Sequence, residues 1–437
     1  MKKDISAGVS AEPVQVGRLH FSPTTYVWIL TGIGLVGYLF TTFDVAIFGA
    51  SLPSIAATFH MTSSMISYLV AGVFAFGAIT GFILGPVADR VGRKPTFQII
   101  LTATGIFSGL TAFVGNVASL AVVRMLSGVG INATSPVNTL ISEEAPARRR
   151  GMLMGVMQAG FPLGSAIAGT MAAIFLPDWR PLFLIAFAPV LMALVASAFL
   201  RESPQFRKAL EERKHGLVDT EGVHSNVEAA RRSIVSQMLD RDVRRQSIVV
   251  TVFNFLAPAG VIMVATFVTL YATDVQHFSV GMAALLLAIN NWVALVAQVS
   301  IGILSDYIPP KWIQVVGAIV AALTPVLIIE AHGSYGIDVL AMVIYGIFGN
   351  GLYGCNFRYA SESYPTRVRA SGVFFAQAAV DTMFVILPLL AGLFFARHSP
   401  QDLLWIVAGA QVLAGVVMLF GQDIRPGHTL EAIHSEL

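Results

Sequence analysis

The chain of 437 residues is 55% hydrophobic and only 12% charged, with a mean hydropathy of +0.73, whereas an average globular domain is about one-quarter charged. That excludes an ordinary soluble enzyme. The 27 Lys and Arg against 25 Asp and Glu leave a net charge of +2, too balanced for a nucleic-acid binder, and the one cysteine, Cys355, excludes an intrachain disulfide framework and a CxxC metal site.

Residues 1–24 are polar, and the apolar run behind them is too long for a signal-peptide core, so the first helix is expected to stay in the mature protein. A span of the hydrocarbon core needs about 20 apolar residues. Runs of that length lie near 26–52, 64–86, 96–115, 118–140, 151–176 and 181–199, and again near 247–272, 281–305, 311–329, 337–359, 370–395 and 402–421. The chain is therefore expected to be an all-α polytopic membrane protein of twelve spans. Residues 1–200 and 247–437 form its two six-helix bundles, and 201–246 is a cytoplasmic linker with short surface helices around Ala209–Lys214 and Val227–Leu239. With both termini inside, every Lys and Arg except Arg124, Arg180 and Arg397 falls in an inner loop or tail, which sets the topology.

Charges in hydrocarbon are costly and mark function. Three lie well inside spans: Asp44 on the first, Arg124 on the fourth and Asp381 on the eleventh. Asp44 stands about five residues beyond the centre of its span, roughly 8 Å toward the outside, and Arg124 stands at matching depth. Near span centres lie the uncharged polar or aromatic candidates Gln158, Asn254, Asn290, Asn291, Trp292, Asn350, Tyr353 and Gln377. Such groups either bind substrate or join helices. Asn132, Asn138 and the glycines at 72, 77, 81 and 85 read as structural.

The halves echo each other. Gly85-Pro-Val-Ala-Asp89-Arg90 closes the second run and Gly302-Ile-Leu-Ser-Asp306-Tyr307 the eighth. Ser142-Glu-Glu-Ala-Pro146-Ala-Arg148-Arg-Arg150 follows the fourth, and Ser361-Glu-Ser-Tyr-Pro365-Thr-Arg367-Val-Arg369 the tenth. Duplicated six-span halves are the architecture of alternating-access transporters.

These motifs resemble the major facilitator superfamily. Gly85 through Lys94 is similar to its signature between helices 2 and 3, and Arg124-x-x-x-Gly128-x-Gly130 to its helix 4 signature. Glu202-Ser-Pro-Gln-Phe206 and Glu362-Ser-Tyr-Pro365-Thr-Arg367-Val-Arg369 resemble the subgroup of sugar porters, carboxylate:proton symporters and organic-cation transporters. The resemblance implies a gating role for Asp89, Arg90, Arg93, Glu143, Glu144, Arg148, Glu202, Asp306, Glu362, Arg367 and Arg369, some of which only enforce topology on the competing reading. Because helices 1 and 4 line the cavity in that fold, it also implies a pair between Asp44, as proton carrier, and Arg124, as its modulator. A purely structural ion pair is the alternative.

In aromatic-acid symporters of this subgroup an arginine stands twelve residues past the last Arg of the Tyr-Pro-Thr motif. Here that position is Asp381, as in organic cation transporters, and the Asp-Gly-Phe-Asp motif of the first helix reads Thr41-Thr42-Phe43-Asp44. The expectation is a proton-coupled transporter of a small cation or zwitterion with Asp381 as counter-ion, caged by Trp292, Tyr353 and phenylalanines. The alternatives are a carboxylate:proton symporter, with Asp381 as a second proton site and Arg124 or Arg358 holding the anion, and an uncoupled facilitator. No phosphate-binding loop occurs. The expected partners are a small-molecule substrate, protons and the bilayer of a bacterial inner membrane, for a monomer with no cofactor and no nucleic acid.

Overall fold

The computed structural model describes residues 14–16, 19–215, 238–264, 268–396 and 400–427. Among them are twelve helical segments long and apolar enough to cross a membrane. Spans 1 to 6 are Pro23–Phe59, Tyr68–Val91, Arg93–Phe113, Val117–Glu144, Ala147–Ala172 and Arg180–Phe199. Spans 7 to 12 are Arg244–Ile262, Gly281–Leu304, Pro310–Glu330, Tyr335–Glu362, Arg369–Leu390 and Gln401–Leu419. Each coincides with an apolar run of the sequence. Of the expected linker helices, Ala209–Lys214 falls within a helix at Pro204–His215, and Val227–Leu239 lies almost wholly outside the described residues, as do Lys2, Lys3, Arg18 and Arg397.

Helix starts follow local chemistry. Span 1 opens on Ser22, whose hydroxyl accepts from the Thr25 N–H at 3.1 Å, with Pro23 in the first turn. Thr62 and Ser279 cap the helices of spans 2 and 8 in the same way. Ahead of span 1, Val14–Val16 and Leu19–Phe21 pair as an antiparallel hairpin against Tyr26.

The apolar cores fall into separate groups. One, around Phe43, Phe48 and Phe183, draws only on spans 1 to 6 and their loops; another, around Tyr271, Met342 and Tyr345, draws only on the second half of the chain. The outward surface is also apolar, with Leu191, Val296 and Phe82 exposed as a lipid-facing side chain must be.

Spans 4 and 10 share an interruption. Each narrows to a 3₁₀ turn near its middle, at Gly128–Asn132 and Asn350–Leu352. At Gly128 any side chain would collide with the Val73 carbonyl, 2.3 Å from a Cβ, so the residue type permits the approach of span 2.

Between the halves, spans 5 and 8 touch backbone to backbone: a Cβ on Gly155 would stand 2.9 Å from the Gly302 Cα, and one on Gly302 would stand 2.6 Å from the Gly151 carbonyl. Gly155→Leu is expected to destabilise the protein by about 2 kcal/mol through overpacking, read as a lower midpoint of thermal unfolding in detergent. An unchanged midpoint would show that this seam is not held by backbone contact.

Candidate functional site

A cavity of about 100 Å³ lies where spans 1, 2, 4, 5, 7, 8, 10 and 11 converge. Span 1 contributes Tyr38, Thr41, Thr42 and Val45. The amides and the acid all come from the second half: Gln298 on span 8, Asn350 on span 10, Gln377 and Asp381 on span 11. Tyr353 and the rings of Phe74, Phe161, Phe357 and Phe384 complete an aromatic lining. Phe74 and Phe384 meet at 5.0 Å between centroids, closing spans 2 and 11 together on the side away from the arginine-rich loops.

Asp381 is buried. Its Oδ1 accepts from Gln377 Nε2 at 2.9 Å, one helical turn earlier, and its Oδ2 has no partner. That oxygen is directed at the bare backbone of span 2, where a Cβ on Gly77 would stand 3.4 Å away. No Lys, Arg or His lines the cavity among the described residues.

Asp44 and Arg124 meet as a bidentate pair, Nη1 to Oδ1 at 2.8 Å and Nη2 to Oδ2 at 3.3 Å, both residues buried. The guanidinium carbon lies 4.2 Å from the Phe48 ring centroid and 5.4 Å from that of Phe183. The pair stands behind the cavity wall, since Thr41, Thr42 and Val45 line the cavity and Asp44 does not.

At the end of the molecule that bears the arginine-rich loops, the repeated motifs of the two halves engage each other reciprocally. Asp89 at the end of span 2 accepts from the backbone N–H groups of Ala370 and Ser371, at 3.2 and 2.8 Å, in the first turn of span 11. Asp306 after span 8 accepts from Gly151 and Met152, at 2.8 and 2.9 Å, at the start of span 5. Carboxylates at helix N-termini are favoured by orphan N–H groups and the helix dipole. Glu143 then binds Arg369 at 3.0 Å and Arg93 at 3.3 Å, while Glu362 binds Arg150 at 2.7 Å and Arg358 at 3.1 Å. Arg358 also reaches Asp306 at 2.8 Å. Burial raises the Asp306 carboxyl above the usual carboxylate range against the pull of Arg358, and it raises Glu202 against that of Arg93.

Several expectations need correction. Trp292, 65% exposed, points out of the bundle, so it cannot join a cage around the cavity. Asn290 donates to the Met342 carbonyl and accepts from Asn350, and Asn254 accepts from Asn356, so both join helices. Asn291 and Gln158 are likewise not among the cavity-lining residues. Of the gating set, Arg90 and Arg148 are exposed and form no ion pair among the described residues. Glu144 pairs with Arg201 and Glu202 accepts from the Lys94 N–H, both joining the first half to the first residues of the linker, and Arg367 pairs with Asp240 and Asp242 at its far edge. Sequence reasoning missed Tyr38 and Gln298 in the cavity and left Arg150 and Arg358 out of the gating set, although the structure places both between the halves. Arg150 had a signal, since it occupies in the first repeat the place Arg369 holds in the second.

A family model described as Major Facilitator Superfamily matches residues 34–386 and 250–435. The chain belongs to the Major Facilitator Superfamily. It is 25% identical to the 4-hydroxybenzoate transporter PcaK of Acinetobacter baylyi over 80% of each chain. It is 23% identical to the niacin transporter NiaP of the same organism over 97% of this chain and 98% of that one. A solved structure of the proton:xylose symporter XylE superposes with a TM-score of 0.76 at 19% identity, covering 95% of this chain and 99% of XylE, and shows the same fold. This major facilitator protein is thus a secondary transporter rather than an enzyme, integral to the bacterial inner membrane.

Removing one partner of a buried ion pair leaves the other charge uncompensated, at a cost of about 3–5 kcal/mol, whereas replacing both with apolar groups is often neutral. Asp44→Leu and Arg124→Met are each expected to lower the unfolding midpoint, and the double variant to recover most of the loss. Additive single effects would show that the pair is not a coupled unit.

Proposed function

We propose that the protein is a proton-coupled transporter that moves a small organic cation or zwitterion by alternating access, with Asp381 as the substrate's counter-ion. The observation that carries this reading is the buried, unpartnered Asp381 Oδ2 at a cavity lined by no basic side chain among the described residues. A protonated amine gains a charge-assisted hydrogen bond there, and an anion meets repulsion in a medium of low dielectric. Gln377 orients the carboxylate, and the surrounding rings offer π faces to a cation. The membrane potential assists, since one positive charge entering down a potential of 100 mV, inside negative, gains about 2.3 kcal/mol.

Asp44 and Arg124 serve as the proton-coupling pair. Any movement of span 1 against span 4 that separates the bidentate pair breaks both of its hydrogen bonds, so proton binding at Asp44 and the conformation of the bundle are tied to one contact. The reciprocal contacts through Asp89, Arg93, Glu143 and Arg369, and through Asp306, Arg150, Arg358 and Glu362, act as the latch that closes the arginine-rich end. They must break for the cavity to open there.

A second reading is favoured by the relatives named for 4-hydroxybenzoate and niacin and by the aromatic lining: uptake of an aromatic carboxylate with protons, Asp381 serving as a second proton site beside Asp44.

The test is uptake into proteoliposomes under an imposed pH gradient, using matched organic ammonium, zwitterionic, carboxylate and sugar panels. Cations or zwitterions are expected to enter. Asp381→Asn should cut that uptake at least about tenfold, as loss of a charged hydrogen bond does, and Asp44→Asn should abolish acceleration by the gradient while leaving counterflow intact. Carboxylate uptake that survives Asp381→Asn would refute the counter-ion role, and gradient-driven uptake by Asp44→Asn would refute the proton role.

Asp306→Asn removes the charge from one of the two helix-capping carboxylates. Spin labels on the loops flanking spans 5 and 8 are expected to report a larger fraction of open distances at the arginine-rich end, by about tenfold in the open-to-closed ratio. An unchanged distance distribution would remove Asp306 from the latch.

A further inference from the structure

The hydrogen-bond orientations around the cavity say more about the ligand than its charge. Gln298 Nε2 donates to the Asn350 backbone carbonyl at 3.2 Å, a group that can only accept, so the amide orientation is fixed and its Oε1 is left buried without a partner. Asn290 is fixed in the same way by the Met342 carbonyl at 3.1 Å. Its Oδ1 therefore accepts from Asn350 Nδ2 at 2.7 Å, which ties up that nitrogen as well. Gln377 Nε2 is held by Asp381 at 2.9 Å. Each amide nitrogen on the wall thus has an acceptor within the protein, while two buried oxygens, Gln298 Oε1 and Asp381 Oδ2, have no donor. They belong to two residues on different spans, 8 and 11, that line the same cavity.

A buried acceptor without a donor is costly, and a ligand that supplies the donors recovers that cost. Resting on the cationic reading above, we infer that Gln298 is a second substrate-binding residue and that the site selects a cation carrying at least two N–H donors, such as a primary ammonium or an amidinium, over a quaternary ammonium. One N–H goes to Asp381 and a second to Gln298. A quaternary ammonium satisfies the charge and the aromatic rings but leaves both oxygens bare. The discrimination is of the strong kind, in which a missing donor leaves a polar wall unpaired.

The experiment measures binding of benzylammonium, benzamidinium, benzyltrimethylammonium and benzoate to the full-length purified protein by calorimetry, for the wild type, Gln298→Leu, Gln298→Met and Asp381→Asn. Wild type is expected to bind the first two at least about tenfold more tightly than the trimethyl compound, the effect of one hydrogen bond to a charged group. In Gln298→Leu, or in Gln298→Met should the leucine variant not fold, that preference is expected to fall toward unity while the Kd of the trimethyl compound stays the same. If primary and quaternary ammonium bind equally and both depend on Asp381, the counter-ion reading stands and the role of Gln298 is refuted. If benzoate alone binds, both are refuted.

Discussion

Within a bilayer, two helical bundles gain nothing from hiding apolar surface from lipid, because the tails are as apolar as the helices. Contact between the halves of this protein therefore rests on backbone N–H groups at the starts of spans 11 and 5, offered to Asp89 and Asp306. These groups belong to the first turn of a helix, where no intrahelical acceptor exists. Everything around them follows. Glu143 and Glu362 bring Arg369 and Arg150 against the same helix starts, and Gly155 against Gly302 lets the backbones approach closely enough for the carboxylates to reach.

The division of labour between the halves is unequal. The acid and the amides that face the cavity stand on spans 8, 10 and 11, whereas the buried ion pair stands on spans 1 and 4 behind residues that line the same cavity. Span 1 links the two, carrying Thr41 and Thr42 on the wall and Asp44 two residues later on the far face. Rotation of one helix is enough to alter both environments, which is the geometric requirement for coupling two ligands across one protein.

The spans, the repeat and the depth match of Asp44 with Arg124 were legible in the sequence because they depend on composition and on spacing along one helix. Which way a residue faces was not. Asn290, Asn291 and Trp292 are consecutive, and at 100° per residue a helix cannot direct all three inward. The structure turns Asn290 to span 10, leaves Trp292 to the lipid and places Gln298, two turns on, at the cavity. Tyr38 escaped notice for a related reason, since its role depends on neighbours from other spans, whereas Asn350 stood out as an amide near the centre of span 10. Asp381 was found because a charge in hydrocarbon is conspicuous whatever its orientation.

The paired 3₁₀ turns in spans 4 and 10 have a mechanical meaning. A 3₁₀ helix rises about 2.0 Å per residue with three residues per turn, against about 1.5 Å and 3.6 in an α-helix. Rewinding the five residues Gly128–Asn132 would shorten span 4 by about 2.5 Å and twist its ends by about 100° relative to each other, from the same helical parameters. Arg124 lies on one side of that segment and Glu143 on the other. Span 4 is thus a screw thread set between the ion pair beside the cavity and the arginine-rich end, and span 10 carries a shorter thread of the same pitch, between Asp338 and Glu362.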